Sequence, residues 1–203
     1  MTDDLERRLG AAPAPALDLG AFRSRLGRRA AAQGLLDVAY GTYDSPLGAL
    51  TVAVTARGLV RLSYPGEGIG AQLDELADRI SPRVLEAPEQ TDEVRRQLDA
   101  YFAGDRTSFE VPIDWRLVRG FAGNVLRATA RIPFGTVSSY REVAAEAGSP
   151  NAYRAAGNAL GSNPIPIVVP CHRVLHAGGG LGGYTGGLER KRFLLQLEGV
   201  LPA

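Results

Sequence analysis

The sequence predicts an α/β N-terminal unit, a small sheet with helices, followed by a mostly α C-terminal unit with a helix-turn-helix, winged-helix-like in outline. Three observations carry this. Strand-like alternation broken by turn signals crowds into residues 39–64. Apolar residues at helical spacing occupy most of the remaining chain. Two short helical stretches meet at Gly148-Ser149-Pro150, a helix-turn-helix signature.

Residues 1–36 read as a flexible N-terminal extension, because alanine and proline between Ala11 and Ala16 resist packing. Within it, residues 20–33 have the spacing of a basic helix through Arg23, Arg25, Arg28 and Arg29, with no function assigned. Residues 37–110 form the supporting unit. Tyr40, Thr42 and Tyr43 precede the turn Ser45-Pro46-Leu47-Gly48, Leu50 to Val54 alternates, and Gly58 punctuates before Leu59-Val60-Arg61-Leu62. Helical spacing follows over 69–80 and 89–102, the second closed by Gly104.

Residues 111–203 form the second unit, after a link at Phe109-Glu110-Val111-Pro112. A helix is expected near 116–130, with Val118, Phe121, Val125 and Leu126 inward. Ser138 or Ser139 caps a helix over about 139–147, Gly148 stops it, and Asn151 opens the next, through about Leu160. The exposed side of that helix reads as small (Ala152, Ala155, Ala156, Gly157 and Ala159) with Arg154 standing out, which suits close approach to another surface.

Composition narrows the function. No apolar run approaches the roughly 20 residues of a membrane span, and the N-terminus, acidic and then Ala/Pro-rich, is not a secretory signal. The single cysteine cannot form an internal disulfide, and a reactive thiol fits a reducing, cytoplasmic location. No Cys/His cluster suggests zinc, and neither metal nor cofactor is expected. The net charge of +1 hides an asymmetry: residues 1–110 carry a net of −4 and residues 111–203 a net of +5. A basic second unit suggests a polyanionic partner. Of 23 basic residues only Lys191 is lysine.

Chemistry concentrates at Pro170-Cys171-His172-Arg173-Val174. A thiol is nucleophilic as thiolate, and a nearby imidazole raises the thiolate fraction. The two histidines, His172 and His176, both lie within five residues of Cys171, and nine glycines between Gly157 and Gly187 provide a backbone that can approach a ligand closely. His176 reads as a surface-loop residue and Arg173 as structural or phosphate-facing. A thiol hydrolase is a competing reading, but adjacent Cys-His is a poor dyad and such an enzyme needs no basic helix-turn-helix.

Asn163-Pro164-Ile165-Pro166, Pro170-Cys171-His172-Arg173-Val174, Gly183-Tyr184-Thr185-Gly186-Gly187-Leu188 and Leu197-Glu198-Gly199 together closely resemble the O6-alkylguanine-DNA alkyltransferases, from about Phe121 to Val200 and more weakly from about Gly41 to Phe109. The resemblance implies DNA repair by direct reversal: irreversible transfer of the alkyl group from O6-alkylguanine, with O4-alkylthymine as a second candidate substrate, in duplex DNA to Cys171, once per molecule. It implies a monomer on double-stranded DNA, entering the minor groove and flipping the alkylated base. By the same resemblance His172 accepts the thiol proton through a water, Glu198 orients the imidazole, Asn163 fixes the turn, and Tyr140 helps turn the nucleotide out and donates to the guanine. Arg154 fills the gap, Leu160 acts as an apolar wedge on the helix of Gly157, and Tyr184 and Thr185 form the pocket wall and a backbone donor. Gly183 and Gly186 permit the loop's close approach, and backbone groups of Cys171 and Val174 read the guanine edge. A non-catalytic, damage-sensing DNA-binding module is the alternative; it would not need the nucleophile.

Overall fold

The computed structural model describes residues 18–66 and 68–202. Strands β1 (Val38–Ser45), β2 (Gly48–Thr55) and β3 (Gly58–Ser63) form an antiparallel meander, and a short β4 (Val84–Glu86) lies parallel to β1, giving the order β3-β2-β1-β4. The first turn is the expected one. Ser45 pairs with Gly48, its hydroxyl donates to the Gly48 carbonyl at 2.7 Å, and Gly48 takes φ 99°, a conformation that favours glycine. With three residues, β4 is too short to declare itself by alternation.

Helix α1 (Leu19–Ala32) precedes the sheet, capped by Asp18, whose carboxylate accepts from the Ala21 amide at 3.0 Å. It corrects the expectation of a flexible extension over these residues. The helix lies on β4 through Gly27, where an added Cβ would stand 2.9 Å from both the Glu86 carbonyl oxygen and the Ala87 Cβ. Arg23 and Arg28 pair with Glu86 and Glu89 at 3.3 and 2.8 Å. The contact was hidden because it is made by small residues, Gly27 and Ala30, while Leu19, Phe22 and Leu26 stay exposed. The Ala/Pro stretch lies outside the described residues.

Helix α2 (Ile69–Arg79) connects β3 to β4, and a 3-10 turn (Pro88–Thr91) leads into α3 (Asp92–Phe102). In the second half a separate 3-10 turn (Trp115–Leu117), capped by Asp114, delays α4 to Gly120–Thr129, so the helix expected from 116 starts later. Helix α5 (Tyr140–Glu146) opens on a capping box: Ser139 Oγ accepts from the Glu142 amide at 3.2 Å, and Glu142 accepts from the Ser139 amide at 2.7 Å. Helix α6 (Tyr153–Gly161) completes the helix-turn-helix, and α7 (Leu188–Leu197) closes the chain. A two-residue parallel pairing of β5 (Ser138–Ser139) with β6 (Val174–Leu175) ties the start of α5 to the segment after Cys171.

One hydrophobic core runs through both halves, from Leu50, Val52, Leu59 and Leu98 to Val125, Leu126, Val143 and Leu194. The exposed edge of β3 is covered by backbone of the second half: the Leu59 amide donates to Pro112 at 2.8 Å and the Leu62 amide to Pro164 at 2.9 Å. The second bond anchors the segment leading to Cys171. On α6 the expected small exposed face is only partly present. Ala156, Ala159 and Leu160 are buried in the core, while Tyr153, Arg154 and Ala155 face outward. Small apolar residues serve either side of a helix, so their size alone did not fix the face.

Gly27→Val should detach α1, because the added side chain meets β4 backbone. Hydrogen exchange should report lost protection over residues 19–32 with the sheet's amides still protected, and overall stability lower by roughly 1–3 kcal/mol.

Candidate active site

Cys171 stands at the start of a 3-10 turn (Cys171–Arg173), at the end of a tight, strained approach. Ile167 has φ 72°, the left-handed region that β-branched residues avoid at a cost of about 1–3 kcal/mol. Asn163 holds the turn at both ends. Its Oδ1 accepts from the Ile165 amide at 3.0 Å, and its Nδ2 donates to the Val169 carbonyl at 2.9 Å. The same Nδ2 donates to Cys171 Sγ at 3.2 Å. The asparagine expected to fix the turn thus also touches the sulfur.

Behind Cys171 lies a buried ionic cluster. Glu198, at the C-terminal end of α7, accepts from His172 Nε2 at 2.8 Å and Tyr101 Oη at 2.6 Å through Oε1. Arg173 donates to both its oxygens, Nη2 to Oε1 at 2.9 Å and Nε to Oε2 at 2.8 Å. Burial pushes the Glu198 carboxyl up, but the donated hydrogen bonds outweigh it and bring it down to about 2. An ionised carboxylate only accepts, so His172 carries its proton on Nε2 and leaves Nδ1 as a bare, buried base with no protein partner among the described residues. Burial lowers the His172 pKa and the Glu198 carboxylate opposes it, which keeps the imidazole neutral at rest. Burial likewise pushes the Cys171 thiol up to about 11, against the Asn163 hydrogen bond and the Lys191 charge.

Lys191 is the functional residue the sequence reading missed. Fully buried, its Nζ donates to the Val174 carbonyl at 2.7 Å and to the Leu181 carbonyl, with Gly183 at 3.5 Å. It clamps the glycine-rich loop to the segment after Cys171. Burial brings it down to about 8, with the Cys171 charge pulling the other way. The signal was present, since this is the sole lysine among 23 basic residues.

In front of Cys171 opens a cavity of about 600 Å³ lined by Tyr140, Tyr153, Arg154, Gly157, Leu160, Cys171, His176, Gly183, Tyr184 and Thr185, among others. Tyr140 packs its ring 5.2 Å from that of His176, which is exposed and also forms part of the wall. Burial raises the Tyr140 pKa, so it remains a hydrogen-bond donor at neutral pH. The Tyr184 hydroxyl meets that of Tyr64, from β3's end, at 2.6 Å, and Thr185 Oγ1 ties the loop to the Gly161 carbonyl at 2.6 Å. Arg154 is exposed at the mouth, its guanidinium carbon 5.6 Å from the Tyr153 ring centroid.

Leu160, Gly183 and Val174 sit differently from the other expected residues. Leu160 is 6% exposed and forms cavity wall from within the core, so it does not project as a wedge. Of the two glycines expected to permit close approach, Gly186 is packed tightly, with an added Cβ 2.5 Å from the Tyr64 ring, while Gly183 has nothing within 4 Å of one; Gly182, at φ 68° with a Cβ 2.6 Å from the Tyr140 hydroxyl, is a further close approach. Val174 is not in the cavity wall, and its carbonyl is already engaged by Lys191. Cys171, Tyr140, Arg154, Gly157, Tyr184 and Thr185 do share the cavity, while Asn163, His172 and Glu198 stand behind the thiol.

The arrangement gives one approachable thiol, a neutral base and an orienting carboxylate. Because the folded Glu198 value is depressed from the ordinary 4.5 to about 2, its stabilisation is fully present above about pH 4.5 and is lost as pH falls towards 2. Glu198→Gln should flatten that acid limb in urea midpoints measured from about pH 3 to 7. It should also lower stability at neutral pH by about 3–5 kcal/mol, through the unpaired Arg173. Lys191→Met should raise the thiol pKa further and slow alkylation of Cys171 by iodoacetamide near pH 8, by about tenfold for each unit.

Two family models match the chain: the ribonuclease-like domain of 6-O-methylguanine DNA methyltransferase over residues 38–115, and the DNA binding domain of the same family over residues 120–200. The methylated-DNA–protein-cysteine methyltransferase of Mycolicibacterium paratuberculosis is 43% identical over 161 residues, covering 79% of this chain and 92% of its own. That of Methanosarcina acetivorans is 40% identical over 160 residues, covering 79% and 97%. Among solved structures, the Mycobacterium tuberculosis OGT in complex with DNA superposes with a TM-score of 0.67 at 42% identity, covering 79% of this chain and 92% of that one.

Proposed function

This chain belongs to the 6-O-methylguanine DNA methyltransferase family, and from that we propose that it repairs alkylated duplex DNA by taking the alkyl group of O6-alkylguanine onto Cys171. The observation that carries this reading is the position of Cys171. It is the one cysteine, it forms part of the cavity wall, and a neutral imidazole with its orienting carboxylate is next to it in the chain.

Sγ attacks the sp3 carbon on O6. The S–C bond forms as the C–O bond breaks, and the thiol proton passes to His172, whose imidazolium Glu198 stabilises. Tyr140 donates to the departing guanine oxygen, and the proton returns to the base, which leaves as guanine. The Asn163 amide and the Lys191 charge stabilise the sulfur as it becomes anionic. The product thioether resists hydrolysis and no second cysteine exists to resolve it, so each molecule acts once.

The cavity admits one base turned out of the stack, since a target atom inside the duplex is otherwise out of reach. Arg154, exposed at its mouth on α6, is the side chain to fill the vacated place, and the Tyr184–Thr185 loop is the pocket's far wall. Minor-groove entry, action as a monomer and a reducing cytoplasmic setting complete the reading. No helix among the described residues is long and apolar enough to cross a membrane.

Intact mass after mixing the protein with a short duplex holding one O6-methylguanine tests the function. One methyl mass per molecule is expected, mapped to Cys171, absent in Cys171→Ala, and ending when protein and lesion are equimolar. Tight binding to the lesion with no mass gain would replace the transferase with a damage-sensing module.

A further inference from the structure

Tyr101 sits at the end of α3, in the half of the chain that carries no chemical motif, and it is fully buried. Its ring packs against Phe102, Phe109 and Phe134 at centroid distances of 5.4, 5.3 and 6.2 Å. Packing accounts for the ring but not for the hydroxyl. A buried phenol needs a partner, and this one takes the oxygen that also receives the imidazole. Tyr101 Oη donates to Glu198 Oε1 at 2.6 Å, beside His172 Nε2 at 2.8 Å on the same atom.

We propose that Tyr101 is a positioning residue for the proton relay: its hydroxyl fixes Glu198 Oε1 and withdraws charge from it, so that His172 keeps its proton on Nε2 and stays a neutral base at Nδ1. The proposal rests on the reading of Cys171 as the acceptor thiol. A donor to a carboxylate lowers its basicity, and a less basic carboxylate pulls less strongly on an imidazolium. Tyr101 therefore keeps His172 neutral to lower pH than Glu198 and Arg173 alone would.

The ionisable groups acting on His172 are Glu198, Arg173 and Lys191, with Cys171 adjacent in the chain and the Tyr184 ring edge-on at 6.4 Å; those donating to Glu198 are His172, Arg173 and Tyr101. Lys191, at about 8, is cationic on the acid side of pH 7, so an acid limb there reports the imidazole.

Tyr101→Phe keeps the ring and removes only the donor. Two rates are followed from about pH 5 to about pH 9: alkylation of Cys171 by iodoacetamide, and single-turnover transfer from a duplex holding O6-methylguanine. Both should slow on the acid side of the limb, by about threefold to tenfold for a shift of half to one unit. The acid limb should move to higher pH by roughly half to one unit. A fluorinated tyrosine placed at position 101, a stronger donor, should move it the other way. A limb that stays in place in both proteins, whatever happens to the melting temperature, overturns the proposal and leaves Tyr101 a packing residue. If the phenylalanine protein does not fold, the fluorinated one decides by the same limb. The iodoacetamide arm needs no DNA, so failure of the wild-type protein to transfer a methyl group would sink the repair reading and be told apart from failure of this one.

Discussion

The position of the thiol depends on one buried carboxylate. Glu198 has no solvent to stabilise its charge, and an ion in that setting persists only when its neighbours replace the water. They are drawn from distant places: His172 and Arg173 from the turn after Cys171, and Tyr101 from α3 of the other half. Arg173 also donates to the Ile132 carbonyl at 2.5 Å, beyond the end of α4. The end of α7, the cysteine turn, the exit of α4 and the sheet half therefore meet at two oxygens. None of them can shift without leaving a buried charge or dipole unpaired, which fixes where Cys171 stands.

That fixity lets the approach to the cysteine be strained. Ile167 in a left-handed conformation would relax in a free loop, but here its neighbours are held by Asn163 and by the Leu62 amide on Pro164. The sulfur ends up on a boundary. Behind it are ion-paired and hydrogen-bonded groups; in front is an open cavity with aromatic walls. The sheet half contributes to both sides, through Tyr101 behind and through Tyr64 against the Tyr184 wall.

What was legible in the sequence was local or carried by motif. The meander, the capping box at Ser139 and the turn at Gly148 are set by near neighbours, and Cys171, His172, Asn163 and Glu198 lie in segments whose resemblance pointed to them as one site. The docking of α1 was not legible, because glycine and alanine bury without an apolar stripe to announce them. Nor was the burial of Ala156, Ala159 and Leu160, since small residues suit either face. Tyr101 and Tyr64 stayed invisible for a different reason: their partners are 97 and 120 residues away, and nothing in a tyrosine says where its hydroxyl will point. Lys191 was half legible, as a lone lysine in a chain that otherwise uses arginine. An ammonium donates in three directions from one point, and here its main acceptors are carbonyls of two segments that a planar guanidinium would not gather as compactly.

The site sets burial against charge. Burial that pushes the Cys171 thiol up to about 11 also lowers His172, so thiol and imidazole are both neutral at rest, while Lys191, brought down to about 8, keeps its charge below that pH. Glu198, with its converging donors, stays firmly ionised as the partner of Arg173. A standing thiolate would react with stray electrophiles and oxidants, a serious liability for a protein with one acceptor and no means of regenerating it. Under the proposed transfer, the sulfur in this neutral arrangement gains nucleophilicity only as its proton moves to the imidazole. The fixed carboxylate makes that transfer favourable when an alkyl carbon is in place to receive the electron pair. Under the proposed transfer, neutrality at rest and reactivity towards a seated substrate thus come from the same low-dielectric surroundings, because the carboxylate behind the imidazole is held in place by its ion pair with Arg173.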